Sequence, residues 1–364
     1  MAEYTVENYR INPATGEFTR VASYITMQSL EFYKKENGYG QLYMTFNVND
    51  PSINPDDFKL YRNNFLVKRN GGAAWLGTLS GYDVDMQDNF GTINVESFEY
   101  FYHLNGRQTE QNYQKTDVTA SAVAWDLINT AQSRTNGDLG ITQGDLGTNI
   151  STINESLEYA NVGDAIINQS DNIGDFDFYL QPVLDTNGLL SEVRFNASKS
   201  FTRTIINKKI TPDQVLSIST STAREMYNTT TGLGGGTGDQ VFTVTATDSA
   251  SQLGFTRREQ VLKFASYRIP ENLQSAADEV NNRLKAQRNL VNITLNPAGK
   301  FTYSDLQIGD IVEVDFKTST SNDSADSNYF PSILQIQGTA KVLELNVRVD
   351  ENGVEYITPK LKFN

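Results

Sequence analysis

Alternation of apolar and polar residues is the pattern that most constrains this chain. In Gln41–Val48 (QLYMTFNV), Leu42, Met44, Phe46 and Val48 recur at every second position, the spacing that lines one face of a strand. Asn49-Asp50-Pro51 closes that run. Phe58–Arg69 (FKLYRNNFLVKR) reads as a strand pair, and Trp75–Val84 and Gly91–His103 as further strands. Within the last, the apolar phase changes between Val95 and Phe98, which predicts a bulge of the kind that bends strands in small barrels. A compact antiparallel barrel is the expectation for this region.

Three helices interrupt the pattern. Thr116 is the expected cap of a helix in which Val123, Ala124, Leu127, Ile128 and Ala131 fall at helical spacing, with Gly137 of Asn136-Gly137 in the left-handed stop position. Asn161–Asp171 reads as a short helix. Phe176–Phe195 reads as a hairpin around Asp185-Thr-Asn-Gly188, and Ser200–Thr222 as two connected strands. Thr229–Gly238 (TTTGLGGGTG) is expected as a flexible loop before the strand Val241–Thr247. A helix after Pro270 carries Leu273, Ala277, Val280 and Leu284 on one side. Leu306–Phe316 reads as a strand pair around Gly309-Asp310, Lys317–Tyr329 as a polar loop, and Ile333–Val349 and Val354–Phe363 as closing strands.

Three counts narrow the chemistry. The 364 residues include no Cys, one His and 44 acids against 30 Lys plus Arg, for a net charge of −14. Disulfide frameworks, thiolate nucleophiles and Cys-ligated zinc are excluded, and any His-based triad would hang on His103 alone. A strongly acidic chain repels phosphate backbones. No apolar run approaches the roughly 20 residues of a membrane helix, and Met1–Arg10 has neither the basic nor the apolar region of a secretory signal. Structural or binding work is therefore expected ahead of catalysis.

Candidate sites are few. Thr135–Glu192 holds ten acids (Asp138, Asp145, Glu155, Glu158, Asp164, Asp171, Asp175, Asp177, Asp185 and Glu192) and no Lys or Arg. That stretch suits a calcium site, an acidic surface along which nucleic acid passes without sticking, or a solvated face. Neither Asp185-Thr-Asn-Gly188 nor Asp83, Asp85 and Asp88 matches a calcium loop. Gly77–Gly81 (GTLSG) has its serine one place late for a nucleophile elbow, and Gly232–Gly238 matches no phosphate-binding loop. His103 is expected at a strand end. Gly254–Arg288 is locally basic, through Arg257, Arg258, Lys263, Arg268, Arg283, Lys285 and Arg288, and could complement an acidic face on a neighbouring subunit. No catalytic, cofactor-binding or metal-ligating residue is assigned.

The succession of elements resembles the hub proteins of phage tails. The N-terminal β region, the helix segment VAWDLINTA within Thr116–Ala131, and Val162–Leu180 stand in that family's order. Further on, Leu253-Gly-Phe-Thr-Arg257 within Asp248–Phe264, the helix Ala276–Leu284, and Gly309-Asp-Ile-Val-Glu-Val314 follow as in the family. The resemblance spans roughly Gln41–Val314, and its specificity lies in the succession. It implies a β-rich α+β fold of two related β-barrel domains plus two smaller α/β insert domains. The limits expected are 1–112 for the first barrel (with return strands near 196–225), 113–195 for an α/β insert, 226–268 and 336–364 for the second barrel, and 269–335 for a small α/β domain.

The same resemblance implies a non-enzymatic homotrimer, a pseudo-sixfold ring in the virion. Tail tube or distal tail ring proteins would lie above it and a spike, fibre or plug protein below, with DNA passing through and no tight nucleic-acid binding. Larger hubs carry C-terminal enzymatic or fibre domains. This chain ends soon after the second barrel, so cell-wall digestion, receptor binding and the plug are expected from separate proteins. Two other readings stay open: a carbohydrate- or receptor-binding β protein using its 19 Phe and 18 Tyr as stacking platforms, and a carboxylate-pair glycosidase. Of the two Trp, Trp125 falls in a helix core pattern, which counts against the first.

Overall fold

A computed structural model describes residues 2–87, 90–172, 176–199, 204–222, 226–235, 241–264, 270–286, 289–299, 301–316 and 336–363. The expected loop Lys317–Tyr329 lies outside them. Seven strands open the chain: β1 (Tyr4–Ile11), β2 (Phe18–Tyr24), β3 (Ser29–Lys35), β4 (Gln41–Asn47), β5 (Asn63–Arg69), β6 (Gly72–Gln87) and β7 (Phe90–Glu99). An insert follows with β8 (Tyr113–Thr119), α1 (Ala120–Gln132), β9 (Ile141–Gln143), β10 (Thr152–Leu157), α2 (Val162–Asn172), β11 (Asp177–Leu184) and β12 (Leu190–Ser198). The chain then makes β13 (Thr204–Ile210) and β14 (Val215–Thr222). A small module comes next: β15 (Thr229–Leu233), β16 (Thr243–Thr247), α3 (Ser249–Phe255), β17 (Glu259–Lys263) and α4 (Pro270–Leu284). Last are β18 (Asn289–Leu295), β19 (Ile311–Phe316), β20 (Ile336–Val349) and β21 (Glu355–Phe363).

Thirteen strands form one sheet, in the order β14-β18-β21-β20-β3-β4-β7-β6-β5-β1-β2, with β13 and β19 attached at β20. Two separate barrels were expected; among the described residues the sheet stays open. The reason is β20. Its first half pairs with β19, Ile336 to Lys341 opposite Phe316 to Ile311, and its second half pairs with β3, Glu344 to Val349 opposite Lys35 to Leu30. One long strand thus joins the N-terminal and C-terminal halves, and their inner faces share one core, from Phe32, Phe65 and Trp75 to Val312, Val342 and Leu361. The strands also group differently from the expected limits: β18 and β19 belong to the large sheet, while β15, β16 and β17 form their own sheet under α4.

Local sequence explains most elements. β4 buries Leu42, Met44 and Phe46 on alternate positions, as its spacing requires. β5 does not alternate because both faces are covered: Phe65 and Val67 enter the main core, and Leu66 faces the insert. The insert packs α1 and α2 over this outer face through Val123, Leu127, Ile128 and Ile166, all buried. In the small module, Leu273, Ala276, Val280 and Leu284 of α4 pack on Phe264, Val244 and Leu262.

Several expectations are corrected. Phe58–Arg62 is a turn, with Tyr61 at φ 56°, so Phe58–Arg69 contains one strand, β5. Leu306–Asp310 is likewise a turn, held by the Asp310 carboxylate accepting the Gln307 N–H at 2.7 Å, so that stretch contains β19 alone. The bulge exists but lies on β6: Leu79 faces Ser97 and Gly81 faces Glu96, leaving Ser80 as the extra residue. β7 keeps its phase, burying Ile93, Val95 and Ser97. Thr116 sits inside β8 and Thr119 occupies the cap position of α1. After α1 it is Asn136, at φ 55°, that takes the left-handed conformation, a role its short polar side chain permits. Thr229–Leu233 is the middle strand of the small sheet, not a loop: three threonines favour extended backbone, and Gly232 lets Leu273 of α4 approach closely. Gly236 and Gly238 lie outside the described residues.

Candidate functional site

A cluster of half-buried charges lies where the insert meets both halves of the large sheet. Three distant segments converge there: the turn after β3, the start of β11, and the middle of β20. Lys341 of β20 reaches Glu36 at 2.5 Å and Asp177 at 2.9 Å. Asn37 reinforces the same joint, donating to the Asp177 carboxylate at 3.1 Å and accepting the Phe178 N–H at 2.9 Å. The lysine is therefore a clamp between the insert and the sheet.

A cleft of about 510 Å³ opens beside it, lined by Lys34, Glu36, Glu99, Tyr179, Gln181 and Tyr303 among others. Glu99 accepts the Gly40 N–H at 2.5 Å. Burial pushes its carboxyl up to about 7, against the pull of that N–H and of Lys34. Burial also pushes Glu36 up to about 7, with Asp177 adding to the rise and Lys341 opposing it. Burial works to lower Lys34, but Tyr303 and Glu99 outweigh it and hold the ammonium above its ordinary value. Two carboxyls that titrate near neutrality thus share one cleft. Each is tied: Glu36 to a lysine, Glu99 to backbone.

This arrangement makes stability depend on pH. From the ordinary 4.5, both carboxyls rise to about 7, so the folded chain retains protons that the unfolded chain has released. Their contribution is fully present below about pH 4.5 and is lost as pH rises through about 7. His103 has the opposite sign. Burial, then Arg107, lowers it from 6.5 to about 4, so its contribution is present above about 6.5 and lost as pH falls through about 4. Urea unfolding of the double variant Glu36→Gln, Glu99→Gln is expected to flatten the loss between about pH 4.5 and 7 by on the order of 2–4 kcal/mol. An unchanged slope in that window would refute the assignment. His103→Gln should alter the acid limb alone.

The residues singled out from sequence do not converge. His103 is on no strand: it lies in the 3₁₀ turn Tyr100–Gly106, its ring nitrogen 2.9 Å from the Asn64 side-chain oxygen and its ring edge-on to Tyr100. Among the acids, Glu155 is buried against Gln169, Asp177 belongs to the clamp, Asp185 caps its hairpin turn and Glu192 pairs with Arg194. Asp145, Glu158 and Asp164 are exposed. Asp88 and Asp175 lie outside the described residues, as do Arg268 and Arg288. Among the described residues no cluster of three or more His, Asp or Glu is placed to hold a metal. Trp75 is core, donating its ring N–H to the Tyr33 carbonyl at 2.9 Å. Trp125 stacks on Phe195.

One surface feature suits the stacking-platform reading. Tyr39, Phe98, Tyr102 and Tyr61 form a ladder, with Phe98–Tyr102 stacked at 4.4 Å and Tyr102–Tyr61 at 6.4 Å. Tyr39 meets Phe98 and Tyr102 edge-on, and Tyr61 is the exposed end. Sequence reasoning missed the Glu36–Lys341–Asp177 clamp altogether. No spacing signal could have found it, because its members come from three segments more than a hundred residues apart.

No protein-family model matches the sequence, and no curated protein is similar to it in sequence. Solved structures do match, end to end. The tail protein of Neisseria meningitidis MC58 is 11% identical with a TM-score of 0.60, covering 100% of this chain and 97% of that one. The 43 kDa tail protein of prophage MuSo2 from Shewanella oneidensis is 11% identical with a TM-score of 0.59, covering 99% and 98%. Prophage tail protein gp18 from Listeria monocytogenes is 11% identical with a TM-score of 0.58, covering 100% and 94%. Over its whole length, this chain is similar in fold to phage tail proteins.

Proposed function

We propose that this chain is a structural protein of a bacteriophage tail or tail-like particle, its hub. The observation that carries the reading is the end-to-end match of all three fold relatives: sheet, insert and small module are accounted for together. Three copies form a pseudo-sixfold ring at the tail tip or baseplate, between tail tube or distal tail ring proteins above and a spike, fibre or plug below. The sheet's two halves, joined at β20, suit this arrangement, since each chain offers two β units to a sixfold neighbour. A net charge of −14 suits a channel that DNA traverses, because an acidic wall offers phosphates no ion pairs. The role is non-enzymatic and needs no cofactor: both cleft carboxyls have structural partners, Glu36 in Lys341 and Glu99 in the Gly40 N–H. The chain would be made in the host cytoplasm and work in the virion.

Sedimentation equilibrium over a range of concentrations tests this. A species at three times 40.6 kDa that grows with concentration is expected, and imaging should then show a ring with a lumen. A chain that remains monomeric at the highest concentration overturns the self-assembling ring. The second reading, a glycan- or receptor-binding tail protein, rests on the exposed end of the aromatic ladder at Tyr61. It predicts glycan binding without change of mass that Tyr61→Ala abolishes, whereas a glycosidase would release reducing sugar.

A further inference from the structure

The helix α3 is built to be seen. None of its residues is buried, and Leu253 to Glu259 are exposed without a break. Leu253 is 91% exposed, Phe255 42%, and Val261 on the adjoining strand β17 61%. A helix of seven residues has no stability of its own, yet this one is pinned from beneath by polar bonds. The Asp248 carboxylate accepts the Ser251 N–H at 2.8 Å, the Ser251 hydroxyl donates to the Lys285 carbonyl, and Gln252 donates to the Thr229 hydroxyl at 2.8 Å. Fully buried Asn228 holds the exit, donating to the Thr256 carbonyl at 2.7 Å and accepting the Arg258 N–H at 2.9 Å. Thr256 itself stands at φ 65°, a conformation that costs a β-branched residue energy and persists only where its surroundings impose it. These bonds display leucine and phenylalanine to water without adding either to a core.

The rim of this patch is basic. Glu259 pairs with Arg257, and Asp248 with Lys285. Arg258 and Lys263 have no carboxylate partner among the described residues. A patch of matching character and opposite charge sits on the insert. Tyr159, 59% exposed and at φ 47°, projects from the turn between β10 and α2, its N–H directed at the Glu110 carbonyl. Glu110, Glu158 and Asp164 surround that turn, exposed and without a cationic partner among the described residues. Both patches are bare in the single chain, so neither covers the other.

We propose that the α3–β17 face of one copy docks on the Tyr159 turn of a second copy. Leu253, Phe255 and Val261 would pack against the tyrosine, with Arg258 and Lys263 meeting Glu110, Glu158 and Asp164. The two surfaces differ, so the contact is head-to-tail, the kind that closes into a ring. This inference rests on the ring proposed above and adds which surfaces make it. An apolar centre inside a charged rim fixes orientation and makes assembly sensitive to salt.

The test uses the full chain in sedimentation equilibrium at low and high salt. Leu253→Glu is expected to weaken assembly about 30-fold, as for a central interface residue. Lys263→Glu alone, and Glu158→Lys with Asp164→Lys, are each expected to weaken it about tenfold at low salt, with little effect at high salt. The chain carrying Lys263→Glu together with Glu158→Lys should recover part of the loss. All four positions are exposed, so thermal unfolding should be unchanged and confirm folded variants. A wild-type ring that persists undiminished in Leu253→Glu and in the double acid variant overturns this contact while leaving the ring standing. A wild-type chain that is monomeric throughout overturns both.

Discussion

Lys341→Met is expected to release the insert from the large sheet and to lower stability by about 3–5 kcal/mol, the usual loss when one partner of a buried ion pair is removed. The reason is the company left behind. Glu36 and Asp177 face the same ammonium at 2.5 and 2.9 Å. Without it the joint loses its cation, and Glu36, which burial and Asp177 already push up, is pushed up further. The backbone should tolerate methionine, since Lys341 sits mid-strand in β20 opposite Ile311 and Lys362. Urea unfolding measures the loss, and hydrogen exchange should localise it to β11. Adding Glu36→Gln and Asp177→Asn to Lys341→Met should recover most of the stability, because a neutral joint has no uncompensated charge. If Lys341→Met costs no more than an exposed lysine substitution, the clamp does not hold the insert.

Gly77→Ala is expected to be comparably damaging, through space rather than charge. A Cβ at Gly77 would lie 2.1 Å from the Phe98 carbonyl oxygen and 2.1 Å from the Trp75 ring. β6 pairs there with β5 on one side and β7 on the other, so neither neighbour can withdraw without breaking its ladder. Trp75 is fully buried, its ring N–H fixed on Tyr33. Overpacking of this severity is expected to cost about 3 kcal/mol or more. Gly81, four residues along in the same GTLSG stretch, is the control. A Cβ there meets nothing closer than the Glu96 carboxylate at 4.0 Å, so Gly81→Ala should change stability by less than about 0.5 kcal/mol. Equal effects at the two glycines would refute this account.

The glycine pair also shows what a motif-shaped string can conceal. GTLSG fails as a nucleophile elbow on spacing alone, and the structure supplies a positive reason for its first glycine: two strands and a tryptophan meet where a side chain would be. His103 is similar. Phe98, Tyr100 and Tyr102 recur before it at every second position, as in a strand, but the chain turns there. Tyr100 and Phe101 both enter the core under the insert. The glycine-rich run beginning at Thr229 misled for the converse reason. Gly232 marks the close approach of α4, a contact invisible until the helix is in place.

What the sequence by itself determined is local. β4 reads directly from QLYMTFNV, α1 from its buried Val123, Ala124, Leu127, Ile128 and Ala131, and the β11–β12 hairpin from Asp185-Thr-Asn-Gly188. In each case one face is buried by one neighbour, and periodicity records that burial. Tertiary structure alone decided how the strands join. Asn346 of β20 donates to Glu31 of β3 across 315 residues of chain, and this pairing turns two β halves into one sheet. Many strands here carry equivalent alternation, so pattern cannot select among partners. The choice comes from the combined packing of both faces: β5 covered on two sides, Lys341 between two carboxylates, and a core drawn from both ends of the chain.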